Sequence, residues 1–341
     1  MTTPLVSILI PVYNCRAWLA NAIRSALNQT WPEKEVVVLD DGSTDGGHEL
    51  IQDFAGQVRI YRQPNRGQNA SRNQLTTLSR GEWLVYLDAD DELAPDNVAE
   101  KMKLVAEAEA VYGTMELATF RGQEKIDSST IIARDYYDGW VAAFHWKFPN
   151  TSSFLFNRQA LFQTGGWNER IKNCTDYDLL FRMLLNSHRF RAAPKAISIY
   201  RQWSVTQAVN EAPMRKMRTR LELMWRAVES LRIGGEMTAE RRQAFLNAAL
   251  GVIRTIYTVD CRIAIEEHRR LTNWEPTFRP SPSVFPRRYV GVYNRFGFSL
   301  TERLATLVRA LKPFRKRQLI DTSILVQARE AVAPGGSIGK L

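Results

Sequence analysis

Trp83-Leu84-Val85-Tyr86-Leu87-Asp88-Ala89-Asp90-Asp91 is an apolar run that ends abruptly in acid. Its five leading apolar residues, with β-branched Val85 and aromatic Trp83 and Tyr86 among them, predict a buried strand. Three carboxylates follow with only Ala89 between them. Carboxylates crowded at the end of a central strand repel one another and are costly to desolvate, so a compensating charge is expected. A divalent cation carrying phosphate oxygens supplies it, because hard oxygen ligands suit Mg2+ or Mn2+. Taken alone, the same residues read equally well as a strand running into a solvated acidic turn.

The preceding segments tip that balance. Val6-Ser7-Ile8-Leu9-Ile10-Pro11-Val12 is a short apolar run containing a proline near its carboxyl end, and Tyr13-Asn14 turn the chain. Trp18, Leu19, Ala22, Ile23, Ala26 and Leu27 recur at helical spacing, predicting an amphipathic helix from Arg16 to Gln29. Glu35–Leu39 is a second strand ending in acid, Asp40-Asp41-Gly42-Ser43-Thr44-Asp45. A helix near Gly47–Phe54, a strand Val58–Tyr61 and a helix from Asn69 to Leu78 complete the approach to Trp83. This β-α-β-α-β-α-β order predicts a mostly parallel, doubly wound sheet flanked by helices. Ligands bind beyond the carboxyl ends of such strands. Pro11-Val12-Tyr13, Asp40-Asp41 and Asp88–Asp91 all fall there, so they converge on one cleft. Neither a dinucleotide glycine fingerprint nor a GxxxxGK[ST] phosphate loop follows the first strand. A nucleotide would therefore be held by carboxylate-bound metal and by side chains, with Asp40 accepting from base or ribose and Arg72 meeting phosphate or base. Taken alone, Arg72 reads as readily as a surface ion pair.

Four segments in order, Val6–Asn14, Asp40–Asp45, Gly67-Gln68-Asn69-Ala70-Ser71-Arg72-Asn73 and Tyr86–Asp91, resemble the family 2 glycosyltransferases. The resemblance covers residues 4–205 and implies a GT-A (Rossmann-like) α/β fold acting on nucleoside diphosphate sugars. It implies nucleotide-sugar contacts from Pro11, Tyr13, Asp40, Asp41, Arg72, Asp88, Ala89 and Asp90. Asp88 and Asp90 would be the DxD pair on a divalent metal, with Asp90 nearest. Gly165-Gly166-Trp167-Asn168-Glu169 and the acid in the first turn of the amphipathic helix Thr175–Leu184 are similar to the family's acceptor pattern. Thr175 replaces the usual Glu, Trp167 takes the place of the acceptor-sugar platform, and Asp176 takes that of the general base. On the residues alone, Asp176 or Asp178 also suits a first-turn helix acid. Many relatives carry a metal-assisting His after the Tyr-Arg pair, where this chain has Trp203. The resemblance then leaves either weaker metal binding or a phosphate contact from Arg201.

Residues 110–150 show little periodicity. Their aromatics, Tyr136, Tyr137, Trp140, Phe144 and Trp146, read first as core and second as an acceptor groove with Glu116 and Arg121. His145 has no metal-ligand spacing.

The 341-residue chain has room for a catalytic domain over 1–205 and a helical region over 206–341. No apolar run reaches the ~18 residues of a membrane span, and Met1-Thr2-Thr3-Pro4 does not open a signal peptide. Cys15, Cys174 and Cys261 match no metal or CxxC spacing, so a cytoplasmic protein with reduced thiols is expected. The net charge of +10 is lopsided: residues 201–341 hold 25 Lys and Arg against 12 Asp and Glu. Such a region suits an anionic membrane surface or a polyanion, or is simply a solvated basic face. Helices are expected over Met214–Leu231 and Ala239–Leu271. Ser299-Leu300-Thr301-Glu302 is expected to cap a helix with Leu300, Leu304, Leu307, Val308 and Leu311 on one face, followed by Arg315-Lys316-Arg317. An apolar stripe with basic flanks fits an interfacial helix, and fits packing on its own domain as well.

The expected activity is inverting transfer of a sugar from a nucleoside diphosphate sugar, UDP by default, to a glycan or lipid-linked acceptor. Two rivals stand beside it. A sugar-phosphate nucleotidyltransferase needs a Gly-rich basic loop where this chain has Tyr13-Asn14-Cys15-Arg16. A non-catalytic polyanion binder would use the basic third, but no nucleic-acid motif accompanies that charge.

Overall fold

Every residue of β1 (Val6–Val12) is buried, as a central strand covered on both faces must be. The computed structural model describes residues 3–202 and 213–311. After β1 come α1 (Arg16–Leu27), β2 (Lys34–Asp40), α2 (Gly47–Gln52), β3 (Arg59–Arg62), α3 (Gln68–Leu78) and β4 (Trp83–Tyr86). Helix α1 buries Trp18, Leu19, Ala22, Ile23 and Ala26 on one face, the stripe its spacing predicts. The strands pair in parallel in the order β3-β2-β1-β4. The chain winds outward to β3 and returns to the far side of β1, so the order reverses between β1 and β4. That reversal opens a crevice at the strands' carboxyl ends.

Beyond β4 the sheet becomes mixed. The elements are β5 (Glu92–Leu93), α4 (Asn97–Met102), β6 (Ala110–Arg121), β7 (Glu124–Ile131), α5 (Gly139–Phe144), a 3-10 turn (Thr151–Ser153), β8 (Phe154–Asn157), α6 (Arg158–Thr164), α7 (Thr175–Leu185) and β9 (Phe190–Gln202). Strand β8 runs antiparallel to β4 and β6, and β9 lies parallel to β6. The long β6–β7 hairpin occupies the region that lacks periodicity in the sequence. Its outer strand is almost wholly exposed, so no alternation of apolar and polar residues marks it. Of the aromatics nearby, Trp140 stacks on Phe181 inside the core while Tyr137 is fully exposed.

Two units separate by their internal packing, Met1–Ala143 with Phe148–Gln207, and Phe144–Lys147 with Ala208–Leu341. The second is helical: α8 (Pro213–Ile233), α9 (Ala239–Tyr257), α10 (Cys261–Trp274) and α11 (Arg287–Leu311). Trp225, Phe245 and Trp274 pack edge to face at its centre. The single helix expected over Ala239–Leu271 is two helices, because Asp260 accepts from the Arg262 and Ile263 N–H groups and starts a new one. The capping box expected at Ser299 is also displaced. Gly297 (φ 74°) breaks α11 two residues earlier. Glu302 is buried against Arg254 (2.6 Å) and Arg309 (3.0 Å) instead of reaching back to the cap.

Lys101, on α4, is fully buried, and its Nζ donates to Asn97 Oδ1 at 2.7 Å. Burial pulls its pKa down to about 7. The unfolded amine releases its proton only near pH ~10.4. Between those values the unfolded chain holds more protons, so stability rises with pH; below 7 the full cost of burying the charge is present. Lys101→Met should therefore raise the melting temperature at pH 6 by at least ~3 °C and flatten its rise between pH 7 and 10. Parallel pH profiles for the two proteins would refute this.

Candidate active site

Asp40 is the last residue of β2 and is completely buried. Its Oδ1 accepts the Ser43 N–H (2.9 Å), and Oδ2 faces Arg62 Nε (3.2 Å) and His48 Nδ1 (3.3 Å). Asp41 turns the other way and organises the loop before α3. Its Oδ1 accepts from Arg66 N and Gln63 Nε2, and its Oδ2 accepts from Gly67 N at 2.9 Å. Gly67 takes φ 89°, a conformation open to glycine, and starts α3 at once. Pro11 is buried within β1, and Tyr13, just past it, is 53% exposed at the rim.

The acids after β4 divide by environment. Asp88 and Asp90 are half-buried, Ala89 is buried between them, and Asp91 is fully buried. Asp91 accepts from Ser152 Oγ (2.7 Å), Asn150 Nδ2 (3.0 Å) and the Arg201 N–H (3.1 Å). Ser152 Oγ in turn accepts the Asp88 N–H. Asp91 thus ties the β4 loop to the 3-10 turn and to β9. Burial, and then the charges of Asp90 and Asp88, push its pKa well above the usual carboxylate range. The Cys15 thiol is pushed up by burial and then by Asp90, Asp45, Asp88 and Asp91. The Tyr200 phenol is pushed up by burial and then by Asp91, Asp90, Asp88 and Asp176. Tyr200 therefore feels the β4 acids and Asp176 together, although Asp176 lies about ninety residues further along the chain.

Three residues on one face of α3 hold the loop that carries Trp167, Asn168 and Ile171. Asn69 Nδ2 donates to the carbonyls of Asn168 (2.7 Å) and Ile171 (3.2 Å). Asn73 donates to Trp167 O and accepts the Trp167 N–H (2.8 Å). Between them Arg72, 2% exposed, donates to Asp88 Oδ1 (2.7 Å) and Thr175 Oγ1 (3.4 Å) and lies over the Trp167 ring at 4.5 Å. Spacing i, i+3, i+4 puts all three on one side of a helix. Gly166 must remain without a side chain, because a Cβ there would stand 2.9 Å from Asn73 Oδ1, and its φ of +67° is left-handed. Trp167 is itself 3% exposed, packed edge-on against Tyr86 and covered by Arg72. Its ring face is thus occupied in this structure.

Asp176 sits in the first turn of α7, half-buried, with Oδ1 accepting the Tyr177 N–H at 2.9 Å. Asp178 points elsewhere. It pairs with Arg182 (2.6 Å), whose Nη1 donates to the carbonyls of Thr164 and Gly166. Of the two first-turn acids, Asp178 braces the loop and Asp176 belongs to the Tyr200 cluster. The suggestion that Arg201 meets phosphate is corrected by its surroundings. Its guanidinium is buried between the rings of Trp18 and Phe120, pairs with Glu92, and donates to the Asp90 carbonyl at 2.7 Å. Trp203 lies outside the described residues. Sequence reasoning gave no role to Asp91, Asn69 or Asn73; only the helical spacing of the two asparagines around Arg72 could have suggested theirs.

An open α/β sheet that gathers acids after β2 and β4 above its carboxyl ends is the architecture of a GT-A domain. S. aureus TarS residues 1–349 in complex with UDP-GlcNAc share the fold, with a TM-score of 0.56 and 15% identity over 90% of this chain and 92% of that one. So does the mannosyltransferase PcManGT from Pyrobaculum calidifontis in complex with GDP-Man and Mn2+, with a TM-score of 0.55 and 17% identity over 97% and 87% of the two chains. Residues 7–173 match the family model for glycosyl transferase family 2, and the α/β unit of this chain is a member of that family. Chondroitin synthase from Escherichia coli is 32% identical over 188 residues. That match takes in 53% of this chain but only 26% of the synthase.

Proposed function

We propose that this chain is an inverting glycosyltransferase that moves one sugar from a nucleoside diphosphate sugar, a UDP-sugar, to a hydroxyl of a glycan or lipid-linked glycan. The observation that carries the reading is that Arg72 joins Asp88, after β4, to Thr175, the residue before Asp176, at the strand ends where β2 closes with Asp40. Asp40 holds the base or ribose, with Pro11, Tyr13, Asp41 and Ala89 shaping the nucleotide cleft. Asp88 and Asp90 form the DxD pair.

Among the described residues no three His, Cys, Asp or Glu side chains form a ready metal cage. The donor set still fits a divalent ion that arrives with the nucleotide. Asp88 is paired with Arg72, and on top of burial the charges of Asp90 and Asp88 press a thiol, a phenol and a carboxyl around them towards the protonated form, an electronegative setting that suits a divalent cation. Mn2+ or Mg2+ held by Asp90 and Asp88 would supply Lewis-acid stabilisation of the departing diphosphate. Asp176 takes the acceptor proton as the acceptor oxygen bonds to C1 and the C1–O bond to the diphosphate breaks; attack from the face opposite the leaving group inverts the centre. Arg72 sets the distance between the two halves, since it grips Asp88, Thr175 and Trp167 at once. Trp167 supports the acceptor loop from beneath.

The enzyme is proposed to work at the cytoplasmic face in polysaccharide biosynthesis, its basic helical unit meeting an anionic membrane. A melting-temperature screen against UDP, TDP and GDP, with and without Mn2+, tests the donor assignment. A ligand that binds only the folded chain raises stability by about 2.7 kcal/mol at a hundred times its Kd. UDP with Mn2+ should give the largest shift; a chain indifferent to all three nucleotides would overturn the proposal.

A further inference from the structure

The end of α11 turns an apolar stripe outward. Leu300, Leu304, Leu307 and Val308 are 42, 43, 58 and 55% exposed. Their spacing of i, i+4, i+7 and i+8 keeps them on one side of the helix. This segment is anchored near its start, where Phe298, Thr301 and Glu302 are buried. Leu304, Leu307 and Val308 lie beyond those anchoring residues. Phe296, just before the Gly297 break, is also 55% exposed.

The charge around the stripe identifies what covers it. Helix α11 carries Arg287, Arg288, Arg295, Arg303 and Arg309, and its one acid, Glu302, is buried and paired with Arg254 and Arg309. No acid on this helix faces solvent, and the sequence continues with Lys312, Arg315, Lys316 and Arg317. Among the described residues no helix is long and apolar enough to cross a membrane. A short apolar face in a purely basic setting matches a surface that is negative outside and apolar just beneath, which is an anionic lipid leaflet. We propose that residues 298–311 lie in the plane of such a leaflet, with Leu300, Leu304, Leu307 and Val308 inserted at the level of the upper acyl chains and the arginines among the headgroups. This gives residues to the membrane contact suggested above, and its test needs neither donor nor acceptor.

The test is co-sedimentation of the full chain with vesicles of phosphatidylcholine alone and of phosphatidylcholine with 30% phosphatidylglycerol. Binding is expected only to the anionic vesicles. It should fall at least ~10-fold in Leu304→Asp/Leu307→Asp, and to a similar extent in the uncharged Leu304→Gln/Leu307→Gln. Both positions are exposed, so the variants should keep the wild-type melting temperature. Anionic binding that survives the Gln pair would reduce the contact to charge attraction and overturn insertion. Failure of the wild type to sediment with anionic vesicles would overturn it outright. A wild-type dimer that becomes a monomer in the Gln pair would assign the stripe to a second copy of the chain.

Discussion

Asp176→Asn should lower sugar transfer by about 10²–10⁴-fold while leaving nucleotide binding unchanged. The substitution removes the proton-accepting carboxylate while keeping the size and shape of the side chain. An amide oxygen can still accept the Tyr177 N–H now held by Oδ1 at 2.9 Å. The lost charge sits in the first turn of α7, where its interaction with the helix dipole is worth about 0.3–1 kcal/mol. A loss of 10²–10⁴ in rate corresponds to roughly 3–5 kcal/mol of barrier. The catalytic effect should thus exceed the structural one several-fold. Transfer and the Mn2+-dependent melting shift with UDP should be measured on the same preparation. Near-wild-type transfer would remove Asp176 from the mechanism. Loss of both readouts together would mean that α7 had been disturbed.

Asp90→Ala should abolish the metal-dependent part of nucleotide binding and with it the ~2.7 kcal/mol of stabilisation expected from saturating donor. The Asp90 carbonyl, which accepts from Arg201, belongs to the main chain and survives the change. Removing the carboxylate also relieves Asp91, Cys15 and Tyr200 of a neighbouring negative charge. The variant should gain no stability from UDP with Mn2+. A retained metal-dependent shift would remove Asp90 from the DxD role. A large drop in the unliganded melting temperature would assign it a structural part like that of Asp91.

Asp91 shows how two adjacent acids can do opposite work. Asp90 remains partly open, whereas Asp91 is sealed against Ser152, Asn150 and the Arg201 N–H. Those partners lie 59 to 110 positions away in sequence. A local reading sees only a row of aspartates. Arg72 makes the same point from the other direction. Its position in Gln68–Asn73 marks it for the site, and the fold encloses it so that it joins Asp88 to the loop bearing Trp167 and does not face solvent.

The sequence alone determined that residues 6–86 build a parallel, doubly wound sheet, because apolar runs and period-3.6 patterns record which elements are buried. It also determined where the acids would lie, since strand ends in such a sheet share one edge. What only the tertiary structure decided was which polar groups are spent on one another: Arg201 on Glu92 and two aromatic rings, Asp178 on Arg182, Asp41 on its loop, and Glu302 on Arg254. The exposed strand β7 and the helix break at Asp260 likewise emerged only there. Burial leaves a periodic trace in the order of the residues. Pairing between distant side chains leaves none, because it depends on where the chain returns.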